Sequence, residues 1–244
     1  MTELFEAIDD RDLYWFTELF DSVVLVDAAG ADALIKRCLL SGNFRLVGLA
    51  SQVLFNRKIK VSLESEDSRQ IGQMLLKAPE NYAFPIIDFL GSTHTSEVIA
   101  VLGGLLKDAS WEKREKLIET LGSMKKVEAV VSLHSVLDGY SASSAAKVLG
   151  QLGDKSSIDP LKRALERAGP SAEMDILLAL AQLGNTDIIP RLTEKLVDQN
   201  PEMRRMAVQI IGALGQPFVD KHLAMTKFDL DRFVRHDVAK FMDQ

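Results

Sequence analysis

Five glycines recur along this chain at a constant interval of 31 residues: Gly91, Gly122, Gly153, Gly184 and Gly215. A fixed period of this length is typical of chains built from stacked copies of one short supersecondary unit. A single copy cannot bury its apolar face alone, so neighbouring copies share a core. The interval therefore predicts a repeat architecture. It also favours binding over catalysis, because stacked repeats present extended surfaces to other macromolecules.

Each 31-residue unit has the pattern of two consecutive amphipathic helices. In residues 94–121, apolar side chains recur three and four positions apart in both halves, and residues 108–110 interrupt the pattern. We expect each second helix to end within about two residues of its glycine, because glycine adopts the left-handed cap conformation at little cost. The leucine before each glycine is expected to be buried: Leu90, Leu121, Leu152, Leu183 and Leu214. The predicted fold class is all-α, a right-handed superhelical α–α solenoid of about six or seven hairpins.

Three of the second helices resemble a known family. Residues 144–154, 176–184 and 203–215 are similar to the second helices of HEAT repeats, in particular the short prokaryotic type of phycobilisome-lyase-like proteins. Asp198, Pro201 and Arg204 match the turn between the two helices of that repeat. The resemblance covers about residues 60–244 and implies an α-solenoid. The other units depart from it, because none of them has all three residues. At the position of Arg204 they carry Trp111, Ala142, Glu173 and Arg235.

The N-terminal part fits the period less well. We predict an acidic helical cap and a first hairpin in residues 1–55, with Gly42 and Asn43 as the stop and start signals between its helices. Residues 56–66 form a connecting loop, and residues 67–244 form the repeats with a C-terminal capping helix, all in one continuous solenoid. Ile59, Val61 and Leu63 alternate with polar residues in the loop. This alternation leaves two alternatives, a short extended edge or a loop with its apolar side chains turned inward.

The charge of the chain is unevenly distributed. The first 32 residues hold nine acids and one base, a net charge of −8, whereas the whole chain carries −6. Residues 2–8 and 11–24 are predicted to be acidic helices that cap the solenoid, the alternative being a binding element. An acidic chain repels phosphate backbones, so we expect no nucleic-acid partner. The acidic start and the lack of a long apolar segment predict a cytoplasmic protein without membrane insertion. The resemblance to the short prokaryotic repeats implies a bacterial type.

The chemically reactive residues form no recognisable catalytic or metal-binding motif. The four histidines occupy unrelated positions of the repeat: His94, His134, His222 and His236. Cys38 is the only cysteine, which excludes an intramolecular disulfide and a CxxC pair. Trp111 and the adjacent Glu112 are an aromatic residue and an acid, the combination found in the pocket of HEAT-like DNA glycosylases. We favour the interpretation that Trp111 is instead packed against the protein or lies at the rim of its surface. We therefore predict no catalytic residues, no cofactor and no metal site, and a protein that is not an enzyme.

The exposed face of the second helices is the candidate binding site. Small residues at one repeat position, Gly150, Ala181 and Gly212, suggest the floor of a concave groove over residues 143–213. Such a groove accepts a helix or an extended peptide, and the bases on its walls favour an acidic one. Alternatively, the small residues let neighbouring helices approach closely. The candidate partner-binding residues are Lys116, Lys147, Gln151, Gln182, Arg205 and Gln209.

These observations predict a non-enzymatic protein–protein interaction scaffold or adaptor that holds a partner helix or peptide on its concave face. Two alternatives remain open. The resemblance to phycobilisome-lyase-like repeats implies an accessory or catalytic subunit of the phycobilin-lyase type. A nucleic-acid-binding HEAT-like protein is the other alternative, and the charge of the chain disfavours it. The sequence does not determine the oligomeric state or identify the partner.

Overall fold

The computed structural model describes residues 28–242. The predicted cap helices of residues 2–8 and 11–24 lie outside the described residues. Between residues 28 and 242 the chain forms α-helices and three short 3₁₀ helices, and no strand. It divides into two compact units, one up to Ser132 and one from Leu133 onwards. The predicted boundaries at residues 55 and 66 stay predictions.

The first unit consists of helix pairs. Within each pair the two helices pack against each other, and the second helices of successive pairs, α2, α4 and α6, also pack side by side. The helices are α1 (Ala28–Leu39), α2 (Phe44–Arg57), α3 (Ser65–Lys77), α4 (Glu80–Ser92), α5 (Ser96–Leu105) and α6 (Trp111–Ser123).

The second unit repeats this arrangement, with a row of second helices formed by α8, α10, α12 and α14. The short helix α7 (Val130–His134) spans the boundary between the two units. The remaining helices are α8 (Ala142–Leu152), α9 (Ile158–Leu165), α10 (Pro170–Gln182), α11 (Ile189–Lys195), α12 (Pro201–Ala213), α13 (Gln216–His222) and α14 (Arg232–Met242).

The repeat glycines mark the helix ends, as predicted, but they do so in two different ways. Gly153, Gly184 and Gly215 have positive φ angles of 73°, 76° and 95°, so they end the preceding helices in the left-handed region. Gly91 instead lies inside α4, where an added Cβ would collide with the Thr120 side chain of α6. Its role is therefore close helix approach, and the prediction of a left-handed cap is wrong at this position.

The chain turns after α4 and α6 three residues beyond the repeat glycine. Gly122 also lies inside its helix, and the residues with positive φ are His94 (53°) and Lys125 (52°), which are one repeat apart. A non-glycine residue in this region carries a conformational cost of about 1 kcal/mol. The shared position shows that this conformation belongs to the repeat.

The leucines before the glycines differ in burial. Leu90, Leu121 and Leu183 are buried, as predicted. Leu152 and Leu214 are only half-buried. In α8 and α12 the buried face is instead completed by residues one turn earlier, such as Leu149 and Ile211, which are fully buried.

A connection without regular structure, residues 58–64, joins α2 to α3. Lys58 ends α2 with a φ of 56°. Ile59, Val61 and Leu63 are half-buried. Of the two alternatives for this segment, the structure shows the loop with its apolar side chains turned partly inward. Upstream, at the start of α2, Gly42 with a φ of 76° and the N-cap Asn43 confirm the predicted stop and start signals.

None of the helices between residues 28 and 242 combines the length and the apolar character that crossing a membrane requires.

Candidate interaction surfaces

The predicted partner-binding residues Arg205 and Gln209 share a buried carboxylate. Arg205 Nε lies 2.7 Å and Gln209 Nε2 lies 2.8 Å from Oδ2 of Asp237, which belongs to the next second helix, α14. Burial alone would raise the pKa of Asp237, but these two hydrogen bonds and the charge of Arg205 hold it below its ordinary value. Both side chains therefore bind their own chain.

The same relationship occurs between α8 and α10. Ser143 donates a hydrogen bond to Asp175, and Lys147 Nζ lies 3.1 Å from the same carboxylate. Asp175 and Asp237 occupy the same repeat position. Ser143 occupies the same repeat position as Arg205, and Lys147 occupies the same repeat position as Gln209. Each pair thus links its second helix to the next one through an aspartate.

Lys116, the predicted binding residue in the first unit, is also paired. Its Nζ lies 2.8 Å from Asp88 Oδ1 and 3.6 Å from Glu119 Oε2. Burial alone would lower the pKa of Lys116, but the hydrogen bond and the charge of Asp88 raise it above its ordinary value. Lys116, Lys147 and Arg205 therefore offer little unpaired positive charge to an acidic ligand.

The small residues of the predicted groove are covered by the next helix. A Cβ added to Gly150 would lie 2.9 Å from the Cα of Ala179 and would also collide with the amide of Gln182. A Cβ added to Gly212 would lie 2.5 Å from the Phe241 ring. These contacts are those expected if small residues let neighbouring helices approach. Gln151 and Gln182 remain exposed, so the groove as a binding site stays a prediction.

A cluster of exposed apolar side chains, here called the apolar edge, lies elsewhere in the second unit. Its members line one cleft of about 580 Å³ near the turns that precede α12 and α14. Val197 and Phe228 are one repeat apart, and Lys227 Nζ lies 5.1 Å from the Phe228 ring. The four residues are between 71% and 96% exposed: Val197, Met225, Phe228 and Leu230.

The turns beneath the apolar edge are held by arginines. Arg204 Nη1 donates to the carbonyl oxygens of Asp198 (2.8 Å) and Gln199 (3.2 Å) in its own turn. Arg235, one repeat later, donates to the carbonyl oxygens of Asp229 (2.6 Å) and Leu230 (2.9 Å). The backbone that presents Leu230 is therefore fixed by side-chain hydrogen bonds, so the edge is preorganised.

A second concave feature, here called the loop cavity, lies in the first unit under residues 58–64. It has a volume of about 810 Å³. The connecting loop, the end of α4 and the start of α5 form its walls. Phe89 and Val98 contribute buried apolar surface, and Ile59, Val61 and Leu63 contribute the apolar side of the loop.

Two of the four histidines line these two features. His94 lines the loop cavity and His222 lines the cleft of the apolar edge. His134 Nε2 lies 3.0 Å from Ser157 Oγ, and burial lowers its pKa. Trp111 is largely exposed and is the first residue of α6, directly after the N-cap Ser110. Within residues 28–242, no group of three His, Cys, Asp or Glu side chains has the geometry to hold a metal ion.

Comparison with known families identifies the repeat. Residues 170–242 match HEAT repeats, and residues 142–167 match the PBS lyase HEAT-like repeat. Residues 142–167 and 170–242 of the chain are HEAT-type repeats. The resemblance noted in the sequence is thereby confirmed, including its phycobilisome-lyase-like subtype. The predicted all-α solenoid class is confirmed as well, because helix pairs stack in both units of the chain.

The solved structures that are similar to this chain include the following two. The complex of CpcE and CpcF of phycocyanin lyase from Nostoc sp. PCC7120 is 18% identical, with a TM-score of 0.46, and the match covers 87% of this chain and 93% of that chain. Human deoxyhypusine hydroxylase in complex with glycerol is also 18% identical, with a TM-score of 0.37, and the match covers 87% and 94%. No protein of curated function matches the chain significantly.

The prediction that this chain is not an enzyme is wrong. The finding that overturns it is the match of residues 142–167 to the PBS lyase HEAT-like repeat, a repeat named after a lyase. The prediction relied on the absence of catalytic motifs. That absence does not exclude an enzyme subunit whose repeats carry no recognisable motif.

Sequence reasoning missed the apolar edge. Val197, Met225, Phe228 and Leu230 interrupt otherwise polar inter-helix turns, and this is a signal that the sequence does contain. The helical periodicity drew attention to the second helices and away from the turns. The loop cavity was missed for a different reason, since only the packing of α4 and α5 against the loop creates it.

Proposed function

We propose that this chain binds a protein partner and that the apolar edge is its main contact surface. The observation that carries the proposal is the clustering of Val197, Met225, Phe228 and Leu230 around one cleft while they remain largely exposed. A contiguous apolar patch on a protein surface is typical of a protein interaction site. The repeats themselves support a binding role, since solenoids present extended surfaces to other macromolecules.

The apolar edge is a better candidate than the predicted groove. On the groove, Lys147, Arg205 and Gln209 bind aspartates of their own chain, and the next helix covers Gly150 and Gly212. On the apolar edge, the exposed side chains have no such partners to lose. Binding there removes apolar surface from water without breaking an internal ion pair.

The partner is a protein helix or extended segment that inserts an apolar side chain into the cleft of about 580 Å³. Both basic and acidic side chains line the cleft, among them Lys221, Asp198 and Asp229. The mixed charge at this rim gives no preference for an acidic partner. This differs from the acidic helix or peptide that the sequence analysis expected, which stays a prediction for the groove.

Affinity capture with matched variants tests this proposal. The tagged chain is incubated with extract of its native organism, and the retained proteins are identified by mass spectrometry. We expect one reproducible stoichiometric partner that is lost with Phe228→Ser/Leu230→Ser and kept with Gln151→Arg on the exposed groove face. If Phe228→Ser/Leu230→Ser still captures the partner and Gln151→Arg does not, the partner binds in the groove and the proposal is contradicted.

A second candidate function is that of a subunit of the phycobilin-lyase type. The specific observation in its favour is the match of residues 142–167 to the PBS lyase HEAT-like repeat. The test is to incubate the chain and its captured partner with a bilin and record the visible absorbance after denaturation. Absorbance that survives denaturation on either protein supports this candidate. A partner without any retained absorbance supports binding alone.

A further inference from the structure

The loop cavity has the size and the lining of a small-molecule site. Its volume of about 810 Å³ lies within the range of pockets that enclose drug-sized ligands, roughly 300–1,000 Å³. Apolar groups make up much of its wall, from Phe55 at the end of α2 to Phe89 in α4 and Val98 in α5. A site of this kind holds the apolar body of a ligand by removing it from water.

The polar part of the wall is cationic and rich in hydroxyl groups. Lys58 and Lys60 line the cavity, together with Ser62 and the almost completely buried Ser68. The lining contains no aspartate or glutamate. Lys58 and Lys60 also have no carboxylate within ion-pair distance among the described residues. The contrast with the paired Lys116 and Lys147 is clear, since those lysines are already neutralised by their own chain.

The helix ends around the cavity do not determine the charge preference by themselves. The start of α5, capped by Thr95, brings the positive end of a helix to the wall. The ends of α2 and α4 bring negative ends to the same wall, at Lys58 and Thr93. These dipoles offset one another, so the two lysines set the sign of the local charge.

We infer that the loop cavity binds a small amphipathic organic anion, with an apolar body and a carboxylate head. The apolar body lies between the loop residues Ile59, Val61 and Leu63 and the buried face of α4. The carboxylate is held by the ammonium groups of Lys58 and Lys60, with Ser62 as a hydroxyl donor. This site is in the first unit and does not depend on the proposed protein partner of the second unit.

Calorimetric titration with decanoate below its micelle concentration tests the inference. We expect one saturable site on the full-length chain, and we expect decyltrimethylammonium, which carries the opposite charge, to bind at least tenfold more weakly. The double variant Lys58→Gln/Lys60→Gln should weaken decanoate binding at least tenfold. The matched control Lys77→Gln/Lys107→Gln removes two exposed lysines of the same unit that do not line the cavity, and it should leave binding unchanged.

A second variant separates the cavity from other apolar surface. Ser92 is exposed and lines the cavity, so Ser92→Trp places an indole there without altering the buried core. We expect this variant to retain its helical circular dichroism and to lose decanoate binding, whereas Phe228→Ser at the apolar edge should keep it. The inference is overturned if decanoate does not bind, or if Phe228→Ser abolishes its binding. It is also overturned if Lys58→Gln/Lys60→Gln binds decanoate as tightly as the control Lys77→Gln/Lys107→Gln.

Discussion

Arg204 forms a two-pronged ion pair with Asp229 of the following repeat. Its Nε and Nη2 each lie 2.8 Å from a different carboxylate oxygen, and both side chains are largely buried. The remaining nitrogen, Nη1, donates to the carbonyl oxygens of Asp198 and Gln199. One guanidinium group therefore ties the turn before α12 to the turn before α14.

Replacing this arginine should destabilise the second unit. Arg204→Met keeps much of the aliphatic stem but leaves the Asp229 carboxylate and two carbonyl oxygens without their donor. We expect the free energy of unfolding to fall by about 2–4 kcal/mol, because removing one member of a largely buried pair strands the other. Urea titration followed by circular dichroism measures the change. The exposed Arg163→Gln serves as the control, and equal midpoints for the two variants would contradict the prediction.

The same pair makes stability depend on pH. Hydrogen bonding by Arg204 holds the pKa of Asp229 below its ordinary value. The folded chain therefore binds this proton less readily than the unfolded chain does. The stabilisation is present above the unfolded pKa and is lost as the pH falls through the folded value. Between about pH 5 and pH 2, Asp229→Asn should lose less stability than the wild type, as thermal melts across that range would show. If the wild type and Asp229→Asn lose stability in parallel as the pH falls, Asp229 does not contribute to the pH dependence.

Two helical glycines should respond in opposite ways to alanine. At Gly150 the new methyl group would meet the Ala179 backbone, so Gly150→Ala is expected to cost about 1–3 kcal/mol. At Gly104, inside α5, nothing lies within 4 Å of the added Cβ. Gly104→Ala should stabilise the chain by up to about 1 kcal/mol through helix propensity. Differential scanning calorimetry distinguishes the two, and a higher melting temperature for Gly150→Ala would contradict the packing argument.

The repeat and its helix boundaries were predictable because they rest on local chemistry. The apolar period placed α5 and α6, and Asn43 marked the start of α2 that the structure shows. The left-handed cap was correctly assigned at Gly153 and wrongly at Gly91. The period of the sequence shows where glycine recurs. Whether a given glycine adopts a left-handed conformation or makes room for a neighbouring side chain depends on what packs against it.

The binding surface was less predictable because its charges are settled by pairs of residues distant in sequence. When each helix is considered alone, Lys147 and Arg205 are free to bind an acidic partner. In the structure they are neutralised by Asp175 and Asp237, which lie on the next helix in the row of second helices. A comparison of charges across one repeat length would have indicated these pairs. The cleft of the apolar edge depends on how successive turns pack, and no single segment encodes it.

The burial of the single cysteine has a practical consequence for measuring these surfaces. Cys38 is 1% exposed, and burial raises the pKa of its thiol to about 11. The thiolate is the reactive form of cysteine, and both the burial and the raised pKa of Cys38 disfavour its reaction, so we expect maleimide reagents to spare it. A cysteine introduced at position 92 or 228 would therefore take up a fluorophore at one defined place. Both the loop cavity and the apolar edge can thus be followed by site-specific labelling in the otherwise unaltered chain.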